Sequence, residues 1–91
     1  MPYYIYILQC ADGTYYTGLT GDLKRRVREH IQGKHHRAYT YSRRPVELVW
    51  FEQVAGKEEA KLREKQVKGM KRQQKEGLIA AMEAKDSETA D

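Results

Sequence analysis

Two phenols ten residues apart, Tyr6 and Tyr16, precede a guanidinium at Arg26 and an imidazole at His30. These are groups that can bind and cut a phosphodiester. Cutting that bond requires charge stabilisation at the phosphate and activation of water, and a metal ion commonly supplies both. Arg26 offers a permanent charge in the fork geometry that phosphate oxygens favour. Tyr6 or Tyr16 could bind the phosphate or accept a proton from water, but a phenol with a pKa near ~10 is a weak base unless nearby cations lower it. An ion would need a hard oxygen ligand, and a carboxylate with several waters is the usual Mg²⁺ arrangement. Glu64 is the candidate, as the acid on the helical stripe Ala60, Glu64, Val67 and Lys71. Glu58 and Glu59 belong to the exposed start of that helix, as partners of its dipole.

These groups act together only if the local elements bring them together. Tyr3 to Cys10 and Thr14 to Thr20 read as paired strands, rich in Tyr, Ile and Thr. A two-residue turn at Asp12-Gly13 would put Tyr6 and Tyr16 on opposite faces. A three-residue loop, Ala11-Asp12-Gly13 with Gly13 left-handed, pairs Cys10 with Thr14, Tyr6 with Gly18 and Leu8 with Tyr16, and is preferred. Both phenols then share one face, while Ile5, Ile7, Tyr15, Thr17 and Leu19 line the other. Asp22 is a natural N-cap for a helix whose Leu23, Val27 and Ile31 recur at helical spacing until Gly33 stops it. Arg26 and His30, four apart, project side by side from a neighbouring stripe.

Lys34 to Pro45 is polar and basic and reads as a loop. Val46 to Val54 reads as a third strand, and its run Leu48-Val49-Trp50-Phe51 suggests a central strand covered on both sides. A helix is expected from Lys57 to about Arg72, then a shorter one over 77–84 with Leu78, Ile79 and Met82 inward. Residues 1–84 form one expected domain, and the acidic stretch 85–91 an expected frayed tail.

Composition narrows the function classes. Ninety-one residues suffice for one small core, and no apolar run approaches a membrane span. The start lacks a basic-then-apolar signal pattern. One cysteine, Cys10, allows no internal disulfide; it reads as a small core residue in a reducing cytoplasm. The net charge is +4, with eight Lys or Arg against one acid between Lys24 and Arg44. Positive charge at that density suits a polyanion, most commonly nucleic acid. Lys24, Arg25, Lys34, Arg37, Arg43, Arg44 and Lys68 are the candidate backbone contacts, and otherwise solubilising charge. His35-His36, without Cys or acidic partners, reads as solvent-exposed.

Taken in order, Tyr4-Ile5-Tyr6, Tyr16-Thr17-Gly18, Arg26, His30 and a helical Glu64 resemble the GIY-YIG nuclease family. The stretches Ala38-Tyr39-Thr40, Arg44-Pro45-Val46-Glu47-Leu48-Val49 and the helix Ala60 to Lys68 are similar to those of its small stand-alone bacterial members. The likeness covers about residues 3 to 80. It implies an α+β fold, a three-stranded antiparallel sheet flanked by helices. By that resemblance Tyr6 and Tyr16 are the motif tyrosines, one of them the general base. Arg26 contacts the scissile phosphate, His30 assists a tyrosine, and Glu64 ligates Mg²⁺ or Mn²⁺. Gly18 would permit close packing at the second motif. Departures are Tyr4 in place of Gly, Thr17 in place of Ile or Val, and no asparagine anywhere in the chain.

The expected function is a metal-dependent endonuclease acting on DNA ahead of RNA, of structure-selective or repair type. The alternative is a nucleic-acid-binding module of the same fold that does not cut. A protein partner that supplies targeting, and no membrane association, complete the expectation.

Overall fold

Ile5, Tyr6, Ile7 and Leu8 are all fully enclosed, although only alternate residues of a strand share a face. Burial on both faces marks the middle of a sheet, and the strand that carries them, β1 (Tyr3–Cys10), occupies that place. The computed structural model describes residues 2–89. Its elements follow as β2 (Tyr15–Thr20), α1 (Leu23–Gln32), a short 3-10 turn (Tyr41–Arg43), β3 (Val46–Val54), α2 (Lys57–Lys68) and α3 (Arg72–Thr89). Both strand pairings are antiparallel, in the order β2-β1-β3. The fold is α+β, a three-stranded antiparallel sheet flanked by three helices.

The hairpin has the three-residue loop. The Cys10 N–H donates to the Thr14 carbonyl at 2.8 Å, and Gly13 sits at φ +85°. Tyr6 faces Gly18 and Leu8 faces Tyr16, so both phenols lie on one side. Each face of the sheet carries its own core. Ile5, Ile7 and Trp50 pack with Ala60 and Val67 of α2 and Ile79 of α3. Tyr6, Leu8, Cys10 and Val46 pack with Tyr16, Leu48 and the α1 residues Leu23 and Val27.

Strand β3 corrects the expectation of a doubly covered central strand: it is an edge, and β1 is central. The apolar run has another cause. The register slips between Ile7↔Trp50 and Leu8↔Leu48, leaving Val49 as the extra residue of a bulge. Val49 and Trp50 can then both join the helix-covered core, while Phe51 remains 40% exposed on the α1 side.

Two helix boundaries also differ. Helix α2 stops at Lys68, with Gly69 as its C-cap, rather than near Arg72. Helix α3 then begins at Arg72, where the Lys71 N–H donates to Gln74 Oε1, and it runs through Gly77 without a break. Packing of Leu78, Ile79 and Met82 against Trp50 and its neighbours overrides the weak helix propensity of that glycine. Helical backbone extends to Thr89; the side chains from 85 onward, and residues 90 and 91 altogether, lie outside the described residues. No helix among the described residues is long and apolar enough to cross a membrane.

Helix α1 is capped as expected. Asp22 accepts from the Arg25 N–H, and Gly33 closes the helix at φ +72°. Its apolar stripe, however, is only partly covered, with Ile31 51% exposed. The buried member of α1 is a histidine, His30.

Candidate active site

The close approach of Tyr6 to β2 depends on a missing side chain. A Cβ built at Gly18 would collide with Tyr6 Cζ and Oη and lie 2.8 Å from Cε1. Bare backbone at 18 lets the ring lie across the neighbouring strand and present its hydroxyl to α1. There His30 Nε2 meets Tyr6 Oη at 3.1 Å. The other ring nitrogen, Nδ1, is 2.7 Å from Thr40 Oγ1, in the loop after α1. Tyr6, His30 and Thr40 are all buried.

Tyr16 lies on the outer side of this group, half-buried. Its ring is centred 6.3 Å from Tyr6 and 5.3 Å from His30. Beyond it Tyr39 stacks at 6.1 Å and 20°, with the Arg43 guanidinium 3.7 Å over its ring centre. Tyr16, Tyr39, Lys68 and Lys75 line an open depression of about 280 Å³. On another side, Arg25, Arg26, Glu29 and His35 line one of about 380 Å³ beside Thr20, Gly21 and Asp22.

The electrostatics bind the group together. Burial, and then the neighbouring Tyr16, push the Tyr6 hydroxyl well above the ordinary phenol range; the Arg26 guanidinium opposes this and the Glu64 carboxylate adds to it. Both Arg26 on α1 and Glu64 on α2 therefore act on one phenol. Burial lowers the His30 pKa, with His35 and Arg26 in the same direction and Glu29 against. The buried ring is accordingly neutral near pH 7.

Of the five catalytic candidates, Tyr6, Tyr16 and His30 are neighbours: Tyr6 is hydrogen-bonded to His30, and the three rings lie tilted to one another. Arg26 borders them, 3.5 Å from Glu29 and with its side chain still 42% exposed. Glu64, half-buried, forms an ion pair with Lys68 at 3.4 Å, and its charge is felt at the Tyr6 hydroxyl. One carboxylate, and no cluster of three or more His, Cys, Asp or Glu among the described residues, defines the donor set. That set fits a hard divalent ion which keeps most of its waters, and does not fit an all-protein cage.

The candidate nucleic-acid contacts divide. Lys24, Lys34 and Arg37 are exposed. Arg25 is exposed too but pairs with Glu29 at 3.3 Å. Arg43 is engaged with Tyr39 and lies 3.2 Å from Asp12. Arg44 donates to the Tyr41 carbonyl at 2.9 Å, covers that ring, and packs on bare Gly33.

Three site neighbours were not singled out as functional from sequence: Thr40, Tyr39 and His35. His35, expected to be merely solvent-exposed, does expose its side chain, yet it pairs with Glu29 at 3.0 Å and its ring is centred 5.8 Å from His30. Thr40 and Tyr39 lie in the irregular segment, where no periodicity assigns a face. The only available signal was the Ala38-Tyr39-Thr40 stretch itself.

Residues 2–77 match the family model described as the GIY-YIG catalytic domain. Among similar proteins, a UPF0213 protein of Syntrophus aciditrophicus is 47% identical over 76 residues, covering 84% of this chain and 87% of that one. Another, from Natronomonas pharaonis, is 46% identical over 78 residues, 86% and 91% of the two chains. The solution NMR structure of a UPF0213 protein from Bacillus halodurans aligns with a TM-score of 0.58 at 43% identity, covering 89% of this chain and 85% of that one.

Proposed function

The chain belongs to the GIY-YIG family, whose domain is of nuclease type with a nucleic-acid substrate, and from that membership we propose a divalent-metal-dependent endonuclease acting on DNA. The supporting observation is the convergence of Tyr6, Tyr16, Arg26 and His30 on one centre that the charge of Glu64 also reaches.

In this reading Arg26, with an exposed guanidinium, holds the scissile phosphate. Tyr16 borders an open depression, orients the attacking water and takes its proton. Tyr6 is enclosed and hydrogen-bonded to His30, and so acts beside the phosphate rather than on bulk water. Nucleases of this family generally use divalent metal ions, and in this reading Glu64 would hold one, as Mg²⁺ or Mn²⁺. Such an ion, when bound, polarises the phosphate and acidifies water. Lys68, which pairs with Glu64 here, would be free to meet the nucleic-acid backbone if that carboxylate held the ion. We assign a structure-selective or repair-type role, DNA ahead of RNA, and action in the cytoplasm, where free, buried Cys10 fits a reducing environment.

Purified protein should cut DNA in Mg²⁺ or Mn²⁺ when offered branched, single-stranded and duplex substrates beside RNA. Glu64→Gln and Arg26→Ala should each reduce cleavage by about 100-fold or more. Cleavage undiminished in either variant sinks the mechanism. A second reading, a module that binds without cutting, is favoured by the Glu64–Lys68 ion pair and the missing asparagine. It predicts salt-sensitive binding with no turnover in any metal.

A further inference from the structure

The apolar stripe of α1 is only half used within the fold. Leu23 and Val27 pack partly on the sheet, but Ile31, one turn further, is 51% exposed. On β3, Phe51 is 40% exposed on the same side of the sheet. A groove of about 580 Å³ lies between helix and strand, lined by these residues and Leu48. Single apolar residues on a surface need no explanation, but two large ones sharing a concave apolar groove mark a binding surface.

The rim of the groove carries charge of one sign. Lys24 and Arg28 line it, four residues apart on α1 and both exposed. Neither enters an ion pair among the described residues, and no acid lines the groove. Arg25 and Arg26, by contrast, share the carboxylate of Glu29. At about 3.6 residues per turn, Lys24, Arg28 and Ile31 lie on the other side of the helix from Arg25, Arg26 and Glu29. The groove is therefore separate from the phosphate side of α1.

That combination selects among occupants. A nucleic-acid strand would satisfy the two cations but set phosphate and sugar on an apolar floor. A bilayer surface is flat and does not fill a concave groove. An added strand would pair with the backbone of the β3 edge, whereas the lining here is side chains between α1 and the face of the sheet. A second copy meeting this face with its own would bring cation against cation. An amphipathic helix with acids along one flank suits both features. Its apolar side chains recur at the spacing of Leu23, Val27 and Ile31, and its carboxylates, one turn apart, meet Lys24 and Arg28.

We infer that the groove between α1 and β3 docks an acidic amphipathic helix of a partner protein, on the side of α1 turned away from Arg26. Leu23 and Ile31 stand roughly 12 Å apart along the helix axis, which accommodates two turns of a docked helix. Docking there leaves Arg25, Arg26 and Glu29 uncovered. The docking does not rest on the nuclease reading, and its test involves no cleavage.

The test is a titration of ¹⁵N-labelled full-length protein with a synthetic peptide of about 16 residues, long enough to hold a helix once docked. It carries Leu at every third or fourth position, Glu along one flank and Ala elsewhere; a twin has Lys in place of each Glu. In ¹H–¹⁵N spectra the Glu peptide should shift the amides of Leu23, Ile31 and Phe51 and leave those of Tyr16 and Tyr39 in place. It should bind about tenfold more tightly than its twin at low salt. Ile31→Asp should abolish binding, and Lys24→Glu with Arg28→Glu should reverse the preference between the peptides. All three side chains are exposed, so the fold should survive these changes. Absent or equal binding of the two peptides overturns the inference, as do shifts confined to the surroundings of Tyr16. Shifts at Ile31 and Phe51 that grow with protein concentration alone overturn it in favour of a second copy. Shifts there with phosphatidylglycerol vesicles and with neither peptide overturn it in favour of a membrane surface.

Discussion

At position 18 the site depends on an atom that is not there. Gly18→Ala would drive a methyl group into the Tyr6 ring, which is fully enclosed. Overpacking of this kind costs about 1–3 kcal/mol, so the thermal midpoint should fall by several degrees and the Tyr6–His30 hydrogen bond should loosen. An unchanged midpoint would mean that the ring moves freely. His30 carries a pH prediction. Its pKa is lowered in the folded state, so between that value and the unfolded ~6.5 the unfolded chain binds more protons. Its contribution to stability is therefore full above ~6.5 and is lost as pH falls through the unfolded and then the folded pKa. Melting curves from neutral to mildly acid pH should show that decline, and His30→Gln should flatten it. The spacing of Tyr6, Gly18, Arg26 and His30 was legible because strands and helices place side chains at fixed periods. Thr40 was not, because a residue in an irregular loop has no period from which to read a face.

Among the elements, the hairpin determines whether the two phenols meet. Gly13 sits at φ +85°, and a Cβ built there has nothing within 4 Å. Gly13→Ala therefore tests backbone strain alone, in contrast to the collision at 18. A cost of about 1 kcal/mol in denaturant unfolding is expected, with the Cys10–Thr14 pairing retained. Loss of that pairing, seen as fast exchange of the Cys10 amide, would show that the loop does not hold the register. The same kind of argument explains the misreading of β3. Alternation identifies a strand's faces only while the register is unbroken, and the bulge at Val49 shifts the phase midway. Four consecutive apolar residues then imitate a strand covered on both sides. The α2–α3 junction was obscured in the opposite way, since Lys71 continued the stripe of α2 although the helix had ended at Gly69.

Across the whole molecule, the net charge of +4 says less than which cations are free. Lys34 and Arg37, in the loop after α1, are exposed and enter no ion pair among the described residues. Arg44, from the same basic segment, is held by the Tyr41 carbonyl and ring and packs against Gly33. Removing these charges should therefore have opposite signatures. If the loop grips the nucleic-acid backbone, each cation that meets a phosphate displaces about one counterion, which steepens the salt dependence of binding. Lys34→Ala with Arg37→Ala should weaken DNA binding evenly across sequences and reduce the slope of log Kobs against log salt by about 1 to 2. Arg44→Ala should leave that slope alone and instead lower the thermal midpoint, because it strips a stacking and hydrogen-bonding partner from the loop. Fluorescence anisotropy over a salt series, with melting curves of the same variants, separates the outcomes. A slope that falls with Arg44→Ala but not with the double variant would transfer the nucleic-acid path from the outer loop to the 3-10 turn beside Tyr39.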